Sequence, residues 1–385
     1  MMGHRIKTGV FCMANIFDYL DWRGDLPFAQ IPFCAVDGMI LSRLSYLPFD
    51  GIVSETTAVS VPLFEVAQVL IEQEETARKV LLQEDLQLLL ALAQSIRFQQ
   101  VRLSAYVNQI DAETQTQFSA MTVALGDGRY FIAFRGTDDT LVGWKEDFNM
   151  TFTCPVPAQR SAAVYVERIM RQISGEFLLG GHSKGGNLAV YAAAFCPEEL
   201  QRRIVAVYNN DGPGFDERVL STVGYKRICE RVQTYVPQSS VVGMLLEHEE
   251  AYTIIHSTVG GMGQHNLYSW EVLRDRFVTL DTVTNSSRFV DRTLKQWLSS
   301  LMPEERERMV DAVYQMLRET NADTLRELRE NKFSSAMSIL RSARGLDEEG
   351  RRNLLHALGL LFRSAGKSLQ SPTALSEVSG EDRTR

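Results

Sequence analysis

The chain has 385 residues, of which 45% are hydrophobic and 23% charged, the composition of an ordinary globular protein and longer than one typical domain. Its net charge of −8 speaks against nucleic-acid binding, which needs a basic face to neutralise phosphates. Cys12, Cys34, Cys154, Cys196 and Cys229 are scattered, odd in number and never spaced C-x-x-C, which excludes a disulfide framework and a zinc knuckle and implies reduced thiols in the cytoplasm.

At the N-terminus the apolar run "GVFCMANIF" is short and meets Asp18 and Asp21 without a small-residue cleavage site, so no signal peptide is expected. Met13 offers a second start, which would make residues 1–12 a dispensable extension. No stretch approaches the ~18 uncharged apolar residues of a membrane span.

Val36, Met39, Ile40, Leu44 and Leu47 fall at helical spacing before Pro48. Two more helices are expected in "PLFEVAQVLIEQEE" and the leucine-rich "EDLQLLLALAQSI". The period then changes from 3.6 to 2: "VRLSAYVNQI" and "TQFSAMTVAL" read as strands. The tight turn Gly126–Gly128 leads into "RYFIAFRG", whose nearly continuous apolar run suits a strand covered on both faces.

From there helices ("GWKEDFNMTF", "AAVYVERIMRQIS", "GGNLAVYAAAF") alternate with strands ("FLLGG", "RIVAVYNND", "RVQTYVPQ", "AYTIIHS"). Such alternation predicts an α/β fold with a mainly parallel central sheet and helices on both faces. After about residue 285 only helical stripes remain: Val310, Val313, Met316 and Leu317; Leu325, Leu328, Ile339 and Leu340; Leu354, Leu355, Leu358, Leu361 and Phe362. The expected organisation is a main domain over 13–285, an all-helical appendage over 286–366 and a disordered polar tail over 367–385.

The segment Gly181-His182-Ser183-Lys184-Gly185 has the spacing G-x-S-x-G. Three fixed positions would match by chance at roughly 0.1 sites in a chain this long, so the context must carry the reading. An apolar strand precedes the motif, and a helix with Ala189, Ala192, Ala193 and Ala194, able to approach a sheet closely, follows it. That is the setting of a nucleophile elbow, which exposes a serine at the C-terminal edge of a sheet beside a helix N-terminus. A phosphate-binding loop would need a hydroxyl residue after the lysine, and here Gly185 follows Lys184.

A serine needs a base to take its proton, and the hydrolase chain order of nucleophile, acid, histidine leaves few candidates. His182 neighbours the serine, His4 precedes it and His356 lies in the appendage. His265, in the glycine-rich "GGMGQHN" loop after the last strand, is favoured over His248 and His256 because a mobile imidazole there could reach the top of the sheet. For the acid, Asp211 ends the strand "RIVAVYNND", although "NDGPG" also reads as a plain turn; Glu247, Glu249 and Glu250 remain alternatives. The oxyanion hole would use the backbone N–H groups of Lys184 and Thr137, the latter in a loop that Arg135 and Asp138 could fix.

The segments "AFRGTDD", "GWKEDF" and "GGHSKGGNLA" resemble the class 3 lipases, with Arg135, Gly136, Thr137, Trp144, Asp147 and the His182–Gly186 run matching their motifs. "NIFDYLDWRGDLPF", "VDGMILSRLSYLPF", "VPQSSVVGMLLEH" and "QHNLYSW" are similar to an uncharacterised bacterial family of lipase-like α/β-hydrolases, a domain of unknown function, over about residues 13–275. The resemblance implies an α/β-hydrolase fold, Ser183 as nucleophile, His265 as base and Thr137 in the oxyanion hole. Class 3 lipases carry their acid in the stretch matching "VPQSSVV", where this chain has none, and Lys184 replaces an apolar residue or Gln. Lys184 would be either a surface residue or a cation beside the site.

The expected activity is that of a serine ester hydrolase acting on a small-molecule or lipid ester, without cofactor or metal, and with transient membrane-surface contact open to it. The leucine-rich helices or the "GGMG" loop could serve as a lid. The rival reading is a hydrolase-fold interaction protein with an idle site.

Overall fold

The computed structural model describes residues 13–73, 80–138 and 140–283, together with positions 307, 308, 310, 311, 314, 315, 317 and 324. Residues 1–12, the tail 367–385 and most of the expected appendage lie outside the described residues.

The edge strand β1 (Val61–Pro62), β2 (Arg102–Asp111), β3 (Thr116–Ala124) and β4 (Arg129–Phe134) pair antiparallel in succession. From β4 the sheet is parallel through β5 (Glu176–His182), β6 (Ile204–Asn210), β7 (Val232–Pro237) and β8 (Tyr252–Ile255). A ribbon of β9 (Val272–Leu273) and β10 (Arg276–Phe277) precedes β11 (Thr279–Leu280), which closes the edge antiparallel to β8. Nine strands thus form one sheet in the order β1-β2-β3-β4-β5-β6-β7-β8-β11.

Local chemistry explains these elements. The β3–β4 hairpin turns at Gly126 and Gly128, whose φ of 87° and 88° suit glycine, and Asp127 between them pairs with Arg129. Strand β3 is buried at every position from Thr116 to Val123, which places it inside the sheet under helices on both faces. Helix α1 (Ile16–Arg23), not anticipated from periodicity, is set by a capping box: Asn15 Oδ1 accepts from the Phe17 amide at 2.8 Å and Asp18 Oδ2 from the Asn15 amide at 2.8 Å.

Two apolar cores lie on the two faces of the sheet. One holds α1, α2 (Ala35–Leu44), α3 (Leu63–Glu72) and α4 (Glu84–Gln94). Leu88, Leu89 and Leu92 of α4 belong to this core. After α5 (Leu141–Asn149), the other core holds α6 (Pro157–Gln172) and α7 (Lys184–Phe195), with Ala189, Ala192, Ala193 and Ala194 buried as their small size predicts.

Strands β4 to β8, parallel and with helices covering both faces of the sheet, make the centre of an α/β fold, and the Gly181–Gly185 turn follows its central β5. Among the described appendage positions Val310 and Leu317 are buried, and Asp311 meets Lys145 of α5 at 2.8 Å beneath the Tyr314 ring. The remaining members of the three predicted stripes lie outside the described residues. Among the described residues no helix is long and apolar enough to cross a membrane.

Candidate active site

Strand β5 delivers the chain to Ser183, and α7 begins at Lys184. Ser183 has φ 57° and ψ −132°, a conformation a side-chain-bearing residue adopts only when its surroundings impose it. The imposing contacts are backbone ones: the Ser183 amide donates to the Asn210 carbonyl at 3.0 Å. A Cβ on Gly181 would stand 2.2 Å from the Gly185 carbonyl, and one on Gly185 2.2 Å from the Phe134 carbonyl. The two motif glycines are therefore required by close approach. Ser183 is partly exposed within a run of buried neighbours.

Asp211 follows β6 directly, is fully buried, and has φ 54°, a left-handed conformation that Asp tolerates better than most residues. Its Oδ2 accepts from His265 Nδ1 at 2.6 Å. With the Nδ1 proton committed to the carboxylate, Nε2 carries the lone pair. Asp211 Oδ1 accepts from Ser240 Oγ at 2.5 Å.

His265 ends a short turn, Gly261–His265, that is anchored by hydrogen bonds. The Gln264 side chain accepts from the Ser239 amide at 2.7 Å, and the Gln264 carbonyl accepts from Trp270 Nε1 at 2.8 Å. His182 holds the other side: its Nε2 donates to the His265 carbonyl at 2.8 Å, with the two rings 4.4 Å apart. The Nδ1 of His182 faces Tyr46 Oη at 3.1 Å. Burial, then the neighbouring His265 and Arg43, keep the His182 imidazole well below its usual range and hence neutral. Tyr46 in turn lies under the Arg43 guanidinium, 4.2 Å from its ring centroid.

The loop after β4 abuts the elbow. A Cβ on Gly136 would stand 2.4 Å from the His182 carbonyl and 3.2 Å from Ser183 Cβ, which places Gly136, the residue before Thr137, against the serine. Arg135 reaches Asp138 at 3.1 Å and Asn108 at 2.9 Å, the loop-fixing role expected of Arg135 and Asp138. Thr137 Oγ1 donates to Asp147 Oδ2 at 2.5 Å. Asp147 keeps about a third of its side-chain surface (31%), yet its Oδ1 is enclosed without a hydrogen-bond partner. Desolvation pushes its carboxyl up to about 6 against the opposing effects of the Lys184 ammonium and the Thr137 bond.

Lys184 differs from both expectations. Its side chain is 1% exposed and turns inward, where Nζ meets Glu146 Oε2 at 3.0 Å and the Gln117 carbonyl at 3.0 Å. Glu146, also buried, accepts further from the Gln117 amide at 3.0 Å and the Ala158 amide at 2.8 Å. The ammonium is thus neutralised inside the fold and is neither a surface group nor a cation presented to a ligand. The Lys184 N–H, first in α7, has no intrahelical acceptor.

The remaining candidates have other partners. His256 pairs with Glu271 at 2.6 Å beyond the end of β8. His248 Nδ1 meets Glu250 Oε1 at 2.9 Å and its Nε2 the Gly243 carbonyl at 2.8 Å. Burial raises the Glu250 carboxyl, but the bonds from His248, Thr234 and Tyr225 outweigh it and leave the group below its usual range. Glu247 pairs through its backbone with Phe215. The partners of Ser240 and Tyr46 are not legible in the sequence, because nothing in a hydroxyl's local context reveals a partner 29 or 136 residues away.

A family model matches residues 92–315, a span that includes the β4 loop, the elbow, Asp211 and His265. The chain belongs to the Mbeg1-like family. The Mbeg1-like match begins within α4 and runs past the expected limit of about 275 into the helical segment that meets α5. No curated protein sequence matches the chain. Among solved structures it is similar to the crystal structure of a mutant form of MDLA from Penicillium cyclopium, at 12% identity and a TM-score of 0.36, over 65% of this chain and 87% of that one.

Proposed function

We propose that this Mbeg1-like protein is a serine hydrolase that cleaves carboxylic esters through Ser183, His265 and Asp211. The observation that carries the reading is the 2.6 Å bond between His265 Nδ1 and buried Asp211, together with the positive φ of Ser183 between β5 and α7. His265 Nε2 takes the proton of Ser183 Oγ as the oxygen attacks the acyl carbon, and Asp211 stabilises the resulting imidazolium. The developing oxyanion is held by the N–H groups of Thr137 and Lys184. His265 returns the proton to the departing alcohol, leaving an acyl-enzyme. Water, activated by the same imidazole, then releases the acid and restores Ser183.

The substrate class is a small-molecule or lipid ester, handled without cofactor or metal. A cytoplasmic location is supported by Cys34, Cys154, Cys196 and Cys229, all free thiols in the fold. Residues 13–285 would form the catalytic unit and 286–366 a separate helical segment, of which Asp311 and Tyr314 meet Lys145 of α5.

The test is turnover of a panel of p-nitrophenyl esters of increasing acyl length by the full chain, by Ser183→Ala and by Asp211→Asn. Turnover abolished by Ser183→Ala and reduced at least about 100-fold by Asp211→Asn supports the reading. Equal rates in the native protein and Ser183→Ala contradict it and leave the fold an interaction scaffold.

A further inference from the structure

Asp211 is the last residue before a loop, at a positive φ, and β6 alone does not dictate which way its carboxylate turns. Two groups grip it: His265 on Oδ2 and Ser240 on Oδ1. Ser240 lies just after β7, is 2% exposed, and accepts the Gly243 amide at 3.0 Å, so its own proton is directed at Asp211. The fit is close, because a Cβ on Gly243 would stand 2.3 Å from Asp211 Oδ1.

The Gly243 turn is pinned from behind. Its carbonyl meets His248 Nε2 at 2.8 Å while His248 Nδ1 meets Glu250 at 2.9 Å. Both ring nitrogens thus face oxygen atoms, of the Gly243 carbonyl and the Glu250 carboxylate. Glu250 is itself fixed by Thr234 of β7 at 2.6 Å and by Tyr225 at 2.5 Å. The loop after Asp211 is laced to the same turn, with Gly214 N–H donating to Leu245 at 2.9 Å and Phe215 N–H to Glu247 at 2.8 Å.

We infer that Ser240 is a positioning residue for the Asp211 carboxylate, and that the buried His248–Glu250 pair sets Ser240 through the Gly243 turn. The inference rests on the triad proposed above. A second histidine–acid pair thereby acts at one remove from the reacting atoms: Glu250 orients His248, His248 fixes the Gly243 carbonyl, and Ser240 fixes the carboxylate that orients His265. Neither Ser240 nor His248 touches substrate. Their effect is on the angle and occupancy of the Asp211–His265 bond, and displacements of that kind near a reacting centre cost up to about 100-fold in rate.

The experiment compares full-length Ser240→Ala, Ser240→Thr, His248→Gln, the Ser240→Ala/His248→Gln double variant and Asp211→Asn. Each is measured by p-nitrophenyl ester kinetics, thermal midpoint and the downfield proton resonance of His265 Nδ1–H. Ser240→Ala is expected to lower kcat by about 10- to 100-fold with KM within about twofold. It should also move or broaden the downfield resonance while leaving the fold intact, and Ser240→Thr should recover part of both. His248→Gln should change kcat in the same direction by less, and the double variant should lose less than the product of the two single effects, because both act through one turn. Native kcat and an unchanged resonance in Ser240→Ala, with Asp211→Asn inactive, overturn the inference while the triad stands. Near-native turnover in Asp211→Asn removes the triad itself and the inference with it.

Discussion

His182 Nε2 donates to the backbone carbonyl of His265 at 2.8 Å, so the residue preceding Ser183 fixes the backbone of His265. The carbonyl selects the tautomer with its proton on Nε2, while Nδ1 faces Tyr46 Oη at 3.1 Å. Burial holds the His182 folded-state value well below that of the unfolded chain, so the unfolded state binds the extra proton. The stability His182 contributes is complete above about pH 6.5 and is lost as pH falls toward its depressed folded value, at up to about 1.4 kcal/mol per pH unit. We predict that His182→Asn flattens the fall in urea-unfolding stability between pH 6.5 and 5 and lowers kcat about 10-fold or more. An acid slope as steep as in the native protein would contradict this.

Asp147 carries the opposite sign. Its folded value is raised to about 6, so its ionisation opposes folding, and the stability it permits below its unfolded value is lost as pH rises through about 6. Asp147→Asn should therefore gain in thermal midpoint over the native protein as pH rises from 5 to 8. The same substitution replaces the charged acceptor of Thr137 Oγ1, and kcat should fall several-fold as the loop after β4 loosens. A midpoint difference that does not change with pH would show that the native carboxyl is not desolvated.

Lys184 and Glu146 form a buried ion pair, and removal of one partner leaves the other charge without compensation. Glu146→Gln and Lys184→Met should each cost about 3–5 kcal/mol in urea unfolding, while the double variant should cost clearly less than their sum. Additive losses would mean that the pair is not coupled.

The glycines of the elbow give a steric prediction. Gly181→Ala places a methyl group 2.2 Å from backbone atoms of Gly185, which cannot yield as a side-chain tip could. The substitution should cost about 1–3 kcal/mol or more and displace Ser183, with loss of turnover. Gly126→Ala offers a contrast: its Cβ would meet nothing within 4 Å, and only the φ of 87° opposes it, so turnover should persist.

The elements most legible in the sequence are those written in local periodicity. The β3–β4 hairpin, the apolar β5 and the alanine-rich α7 each announce themselves within about ten residues, and with them the position of Ser183. Asp211 and His265 were legible as candidates because chain order and strand ends constrain them, but their mutual selection over His248, His256 and Glu250 requires the tertiary fold. The stretch Gln238-Ser239-Ser240, where the lipase resemblance leads one to expect an acid, supplies instead a donor to an acid one strand earlier. Lys184 misled because a lysine's polarity suggests solvent, and only the fold reveals Glu146 beneath it. Helix α1 is held by its cap, and its polar face masks its period.

The central claim is that Ser183 is a nucleophile activated by His265. The most direct measurement is intact-protein and peptide mass spectrometry after exposure to a fluorophosphonate, comparing the native chain with Ser183→Ala and His265→Ala. The account predicts one phosphonyl adduct per chain, on the peptide containing Ser183, absent in Ser183→Ala and slowed at least about 100-fold in His265→Ala. An unmodified native chain, or an adduct on another residue that survives Ser183→Ala, would contradict it.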